Sequence, residues 1–136
     1  MTKTILIPKA LSDKKGNLTY LDCGEAGCNV DINKVGPYAA EISTIDDEIF
    51  NSSYKIGFIK IDAEGYTYKI LKGGINTLQR DRPVLSLAIY HNYEEVFQTY
   101  DLVDSLNNYL FEFQLQNNVL NNLGELILFA YPAELF

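Results

Sequence analysis

The chain has 136 residues, 47% hydrophobic and 21% charged, the size of one globular domain able to bury roughly two thirds of its unfolded surface. Eleven basic residues against eighteen acidic ones give a formal charge of −7 with no basic run, which argues against a nucleic-acid partner. No stretch approaches the roughly 18 continuous apolar residues of a membrane span, and Met1-Thr2-Lys3-Thr4 opens no apolar leader; no membrane partner and a cytoplasmic location are expected.

Ile5-Leu6-Ile7, stopped by Pro8, predicts a strand from about Thr4 to Ile7. Asp13-Lys14-Lys15-Gly16-Asn17 is turn material, and Leu18-Thr19-Tyr20-Leu21 predicts a peripheral strand. From Asp22 to Pro37 the chain is rich in glycine, asparagine and aspartate, a loop of about fifteen residues. It carries the only cysteines, Cys23 and Cys28. A zinc site would need two further ligands and the sole histidine, His91, is remote in sequence, so two reduced thiols are expected.

Ala39 to Ser43 predicts a short strand, and Thr44 a cap for a short helix over Ile45 to Asn51, with Asp46, Asp47 and Glu48 in its first turn. The strand from about Ile56 to Asp62 is apolar and rich in isoleucine, as suits burial on both faces. Asp62 and Glu64, two residues apart, point to one side for as long as the pleat lasts. Gly65 follows, and Tyr68, Leu71, Ile75 and Leu78 then recur at helical spacing. Gly73-Gly74 inside that pattern cost about 1 kcal/mol each relative to alanine, which implies close packing or a kink there.

Val84 to Tyr90 is the second strongly apolar strand and ends at His91. Asn92 predicts the cap of a helix with Glu94 and Glu95 in its first turn and an apolar stripe of Val96, Tyr100, Val103, Leu106 and Leu110. Phe111 to Leu115 alternates, Asn117 to Gly124 is turn-like, and Leu126 to Tyr131 is a last strand that pairs back as an antiparallel hairpin. This order predicts one α/β domain over residues 1–136, with a mostly parallel sheet ended by an antiparallel pair.

Ile59-Lys60-Ile61-Asp62-Ala63-Glu64-Gly65 with Ile70-Leu71-Lys72-Gly73 resembles the central signature of FkbM-type methyltransferases. Ala10-Leu11-Ser12-Asp13, Thr44-Ile45-Asp46, Arg82-Pro83, Tyr90-His91 and Tyr131-Pro132 fall where that family has similar short blocks. The chain departs from it at Thr67, where many members carry an acidic residue. The resemblance implies a Rossmann-like class I methyltransferase fold, S-adenosylmethionine as cofactor, and a small-molecule or glycan hydroxyl as acceptor. Against that fold the chain begins at the third strand. The first two strands and the glycine-rich cofactor turn have no counterpart, since the one Gly-x-x-Gly, at Gly24 to Gly27, lies in a polar loop. An open edge beside Ile56 to Asp62 follows, to be covered by a partner chain, by self-association or by the Leu18 to Ala40 region.

The resemblance makes Asp62 and Glu64 candidates for the base that takes the acceptor's hydroxyl proton, with His91 at the end of the next strand as a third acid-base group. Asp62, Ser12 and Asp13 are the candidate cofactor contacts, the last two on the adenine side. The structural alternatives are a helix cap at Asp62, a solvated Glu64, a polar strand end at His91 and a plain turn at Ser12-Asp13. Lys60, inside a strand read as buried, is expected to pair with a carboxylate, and Tyr66, Tyr68 and Tyr90 are explained by packing. Two other functions stay open: a truncated, non-catalytic chain that associates through its sheet edge, and a metal-dependent hydrolase using Asp62, Glu64 and His91.

Overall fold

A computed structural model describes residues 3–20, 38–116 and 125–136. Both cysteines, the Gly24 to Gly27 segment and the Asn117 to Gly124 turn lie outside the described residues.

Strands β1 (Ala10–Leu11), β2 (Gly16–Tyr20) and β3 (Tyr38–Ser43) form a small sheet in the order β1-β3-β2. β1 runs parallel to β3, and β2 antiparallel to it from Gly16 opposite Ile42 to Tyr20 opposite Tyr38. The strand expected over Thr4 to Ile7 is not there: Ile5, Leu6 and Ile7 are exposed and pairing starts at Ala10. An apolar triplet needs a face to bury against, and Pro8 removes a ladder donor just where pairing would begin.

After β3 the chain turns through Asp46–Phe50, wound wider than an α-helix. Thr44 caps this turn as expected, its hydroxyl accepting the Asp47 N–H at 3.0 Å.

The second sheet has the order β4-β5-β7-β6, built from β4 (Phe58–Ile61), β5 (Val84–Ala88), β6 (Tyr109–Gln116) and β7 (Glu125–Pro132). β4 and β5 are parallel and joined by helices α1 (Thr67–Lys72) and α2 (Ile75–Asp81). Helix α3 (Tyr93–Asp104) leads to β6, which pairs antiparallel with β7 from Tyr109 opposite Pro132 to Gln116 opposite Glu125. β7 also runs antiparallel to β5. The sheet is therefore mixed rather than mostly parallel, because the terminal hairpin inserts its second strand beside β5. Ile61, Leu85, Leu87, Leu128 and Ala130 form the core with Ile70, Leu71, Leu78 and Val103 from the helices. No helix among the described residues is long and apolar enough to cross a membrane.

β4 is not buried on both faces. It lies at the sheet's edge, and on the face away from the core Phe58 is 58% exposed and the Lys60 side chain 65%. The face of α3 that packs inward is Glu95, Thr99, Leu102 and Val103, offset from the expected stripe, while Val96 and Tyr100 are half-buried. Leu110 belongs to β6 and is exposed.

The glycine pair splits the helical pattern into α1 and α2. A Cβ on Gly73 would stand 2.1 Å from the Ser12 carbonyl oxygen, and one on Gly74 2.9 Å from Ile45 Cβ. Asp46 completes this junction: its backbone N–H donates to Gly73 O at 3.0 Å, and its carboxylate accepts the N–H groups of Asn76 and Thr77 at 3.1 and 2.8 Å. Asp46, expected as a charge in the first turn of its own segment, thus caps α2 from another element.

Arg82, left-handed at φ 49°, holds the other end of the domain. Its guanidinium donates to the carbonyls of Leu106, Asn107 and Asn108, pairs with Glu134 and lies over the Tyr109 ring. The Tyr109 hydroxyl donates to Pro83 O at 3.0 Å, and burial pushes its pKa from 10.0 up to about 12.

Two outcomes follow in urea unfolding. Gly73→Ala is expected to cost about 3 kcal/mol by overpacking, and Gly57→Ala, whose Cβ would meet nothing within 4 Å, under about 1 kcal/mol; equal costs would discount the junction. The raised Tyr109 pKa means the folded state keeps a proton that the unfolded chain releases. Stability should fall by roughly 2–3 kcal/mol as pH rises from about 10 to about 12, more steeply than in Tyr109→Phe.

Candidate active site

The site forms where β4 and β5, parallel neighbours, release the chain at their carboxyl ends. β4 stops at Ile61, and the Tyr66 N–H donates to Ala63 O at 3.0 Å, closing a turn. Inside it Glu64 (φ 47°) and Gly65 (φ 92°) are both left-handed. The pleat therefore does not carry Asp62 and Glu64 to one side, as their spacing suggested. For glutamate the left-handed conformation costs about 1–2 kcal/mol. It brings the Glu64 carboxylate to His91, Oε2 to Nε2 at 2.6 Å. A Cβ on Gly65 would lie 3.6 Å from His91 Cβ, so this turn packs directly on the histidine.

His91 follows β5. The Tyr90 ring stacks on its imidazole with centroids 4.2 Å apart. On its other side Nδ1 faces Glu95 Oε2 at 3.7 Å. Glu95 is only 3% exposed, and its Oε1 accepts the Thr67 N–H at 3.1 Å. Thr67 is fully buried, and its hydroxyl donates to Ala88 O at 2.8 Å, tying the start of α1 to the end of β5.

Asp62 looks the other way, into a cleft of ≈ 370 Å³ lined by Lys60, Asp62, Ser86, Tyr90, Glu125 and Ile127. Lys60 does pair with a carboxylate as expected, 3.8 Å from Asp62, but in solvent rather than in a buried strand. The Tyr90 phenol is held protonated above its usual range, first by burial, then by the charges of Asp62, Glu64 and Glu125. Tyr90 thus joins the two halves of the site, its ring on His91 and its hydroxyl beside Asp62.

Ser12 and Asp13 are elsewhere. Ser12 is buried with its carbonyl against Gly73, and Asp13 lies 3.6 Å from Lys72, at the opposite end of α1 from Thr67. Six helical residues put roughly 9 Å between these ends. The structure brings Glu64 and His91 together, sets Asp62 in the adjoining cleft, and does not gather Ser12 and Asp13 with them. Asp62, Glu64 and His91 are not a metal-ligand set: no group of three His, Cys, Asp or Glu residues with that geometry exists among the described residues, so the hydrolase alternative finds no support.

Glu95 and Glu125 were not singled out from sequence. Glu95 stands three residues after Asn92, whose side chain accepts its N–H at 2.7 Å. That spacing is the one in which a glutamate folds back onto its own helix start, so its reach to α1 was masked.

A family model of the methyltransferase FkbM domain matches residues 4–113. The chain belongs to the FkbM methyltransferase family. Among solved structures, the methyltransferase FkbM from Methylobacillus flagellatus KT is similar, with a TM-score of 0.59 and 22% identity over 68% of this chain. At that identity the likeness speaks for the fold, an α/β fold of FkbM type with mixed sheets. The match spans 24% of the Methylobacillus protein, so the chain corresponds to about a quarter of its length. Comparison with curated proteins returns no match.

If the left-handed turn is strained for the sake of the His91 contact, Glu64→Gly should be more stable than Glu64→Ala by about 1 kcal/mol, both having lost the contact. Thermal melts decide this, and equal melting temperatures would show an unstrained turn.

Proposed function

We propose that the chain carries the proton-abstracting edge of an S-adenosylmethionine-dependent O-methyltransferase acting on a hydroxyl of a sugar or other natural product. The observation that carries this reading is the 2.6 Å contact between Glu64 and His91 at the carboxyl ends of adjacent parallel strands. Family membership and fold support it. The Glu64 carboxylate is 43% exposed, so an acceptor hydroxyl can reach it. As that hydroxyl's oxygen forms its bond to the methyl carbon, the methyl–sulfur bond would break with its electron pair left on sulfur as a thioether, and the hydroxyl proton would pass to the Glu64–His91 pair.

S-adenosylmethionine, when bound, supplies an electrophilic methyl group. The described residues suit one end of it: the carboxylates of Asp62 and Glu125, with the Tyr90 hydroxyl, make an anionic cleft fitted to a sulfonium or to ribose hydroxyls. They offer no glycine-lined cradle. Cβ atoms built on Gly65, Gly73 and Gly74 meet His91, Ser12 and Ile45 of the protein itself, not open space for a ligand. Ser12 and Asp13 keep their assignment to the adenine side on the resemblance alone. The remaining grip is assigned to protein that packs on the open edge of β4, where a class I fold places further strands.

Calorimetry of this chain with S-adenosylhomocysteine should show weak or undetectable binding, and micromolar affinity would overturn the account of the missing cradle. Transfer of a labelled methyl group to a panel of sugar and natural-product hydroxyls tests the chemistry. Where transfer is seen, Glu64→Gln and His91→Gln should each reduce it on the order of 100-fold. Undiminished transfer in both removes the pair from the reaction.

A second reading rests on β4 itself, an edge strand that begins with exposed Phe58: two copies of the chain pair through this edge. Light scattering that reports a monomer at high concentration would dispose of it.

A further inference from the structure

His91 is hydrogen-bonded through one ring nitrogen and left short of a partner at the other. Nε2 meets Glu64 at 2.6 Å, while the buried Nδ1 has no hydrogen-bond partner among the described residues. Facing it at 3.7 Å is Glu95 Oε2, also buried and also without a partner among them. Two unsatisfied polar atoms at that separation are costly to leave apart, and a small rotation of either side chain closes the gap. The other groups around the ring leave Nδ1 to Glu95: Tyr90 from β5 covers a ring face, Glu64 from the β4–α1 turn takes Nε2, and Gly65 packs on Cβ.

We propose that Glu95 is the positioning residue for His91: its buried carboxylate accepts the Nδ1 hydrogen, so that both ring nitrogens donate to carboxylates and Nε2–H is aimed at Glu64. Glu95 is itself fixed. The Thr67 N–H occupies Oε1, and the Asn92 side chain holds the first turn of α3, so Oε2 has one direction in which to point. Nothing in this arrangement requires substrate or cofactor, although its value for catalysis rests on the methyl-transfer reading above.

The test uses the fact that His91 is the only histidine, so one imidazole signal in a long-range proton–nitrogen NMR spectrum reports it without assignment. Near neutral pH the wild-type ring should carry hydrogen on Nδ1, and E64Q should retain it there. E95Q is the informative substitution. The Thr67 N–H demands an oxygen, so the new amide turns its oxygen to Thr67 and its nitrogen to Nδ1. That nitrogen donates, which leaves Nδ1 without hydrogen while Nε2 keeps the one it gives to Glu64. The expected result is loss of the Nδ1 hydrogen in E95Q with size and shape preserved. A wild-type ring lacking hydrogen on Nδ1, or an E95Q ring that keeps it there, overturns the proposal; should E95Q fail to fold, the wild-type and E64Q spectra decide alone. In methyl transfer E95Q should lower kcat on the order of 100-fold or more with KM little changed. Expected spectra from a protein that transfers no methyl group would sink the functional reading and leave the positioning role standing.

Discussion

The close approach at Gly73 and Gly74 is the constraint on which the remaining structure depends. Neither position has room for a side chain, because the Ser12 carbonyl and Ile45 already fill the space. Asp46 adds hydrogen bonds to Gly73 and to the start of α2. Three residues from the small sheet's connections thereby rest on one helical junction, and the two sheets, which share no strand pairing among the described residues, are held together there. The junction also sets where α1 lies. With its C-terminal end fixed at the glycines, its first residue meets Ala88 of β5 and Glu95 of α3, which is how α1 comes to support a site it does not line.

Much of this order was legible in the sequence because local chemistry agreed with the fold. Asn92 and Thr44 cap the turns they were expected to cap, the doubled glycine marks the close approach, and the last two strands pair as a hairpin. The errors share a cause. Phe58 to Ile61 and Ile5 to Ile7 were read from composition, and an apolar run says that a strand tolerates burial, not that both of its faces are covered. β4 leaves Phe58 exposed on one face, and Ile5 to Ile7 pair with nothing among the described residues. The offset of the α3 stripe is similar in kind: the expected stripe left out polar Glu95 and Thr99, yet both are buried.

The site shows the same limit in finer form. Glu64 and His91 were both named from sequence, and they do meet at the ends of neighbouring strands, but Glu64 arrives by a turn and not by the pleat. The two-residue spacing of Asp62 and Glu64 implies a shared face only while the strand continues, and here the strand ends first. A left-handed turn at Glu64 makes the contact instead, and glutamate gives no composition signal for that conformation. The turn separates the carboxylates into two tasks: Asp62 shares the cleft with Tyr90, and Glu64 binds His91.

The neutral side chain at Thr67 has a physical reason in the structure. The residue is fully buried and its N–H is already paired with the Glu95 carboxylate arriving from α3. An acidic side chain at the same position would put a second buried negative charge beside the first, and two carboxylates in one dry pocket cannot both ionise cheaply. Threonine avoids that conflict and uses its hydroxyl to bind Ala88 O. In this chain the carboxylate behind the histidine comes from α3, and the neutral residue at the start of α1 is what leaves room for it.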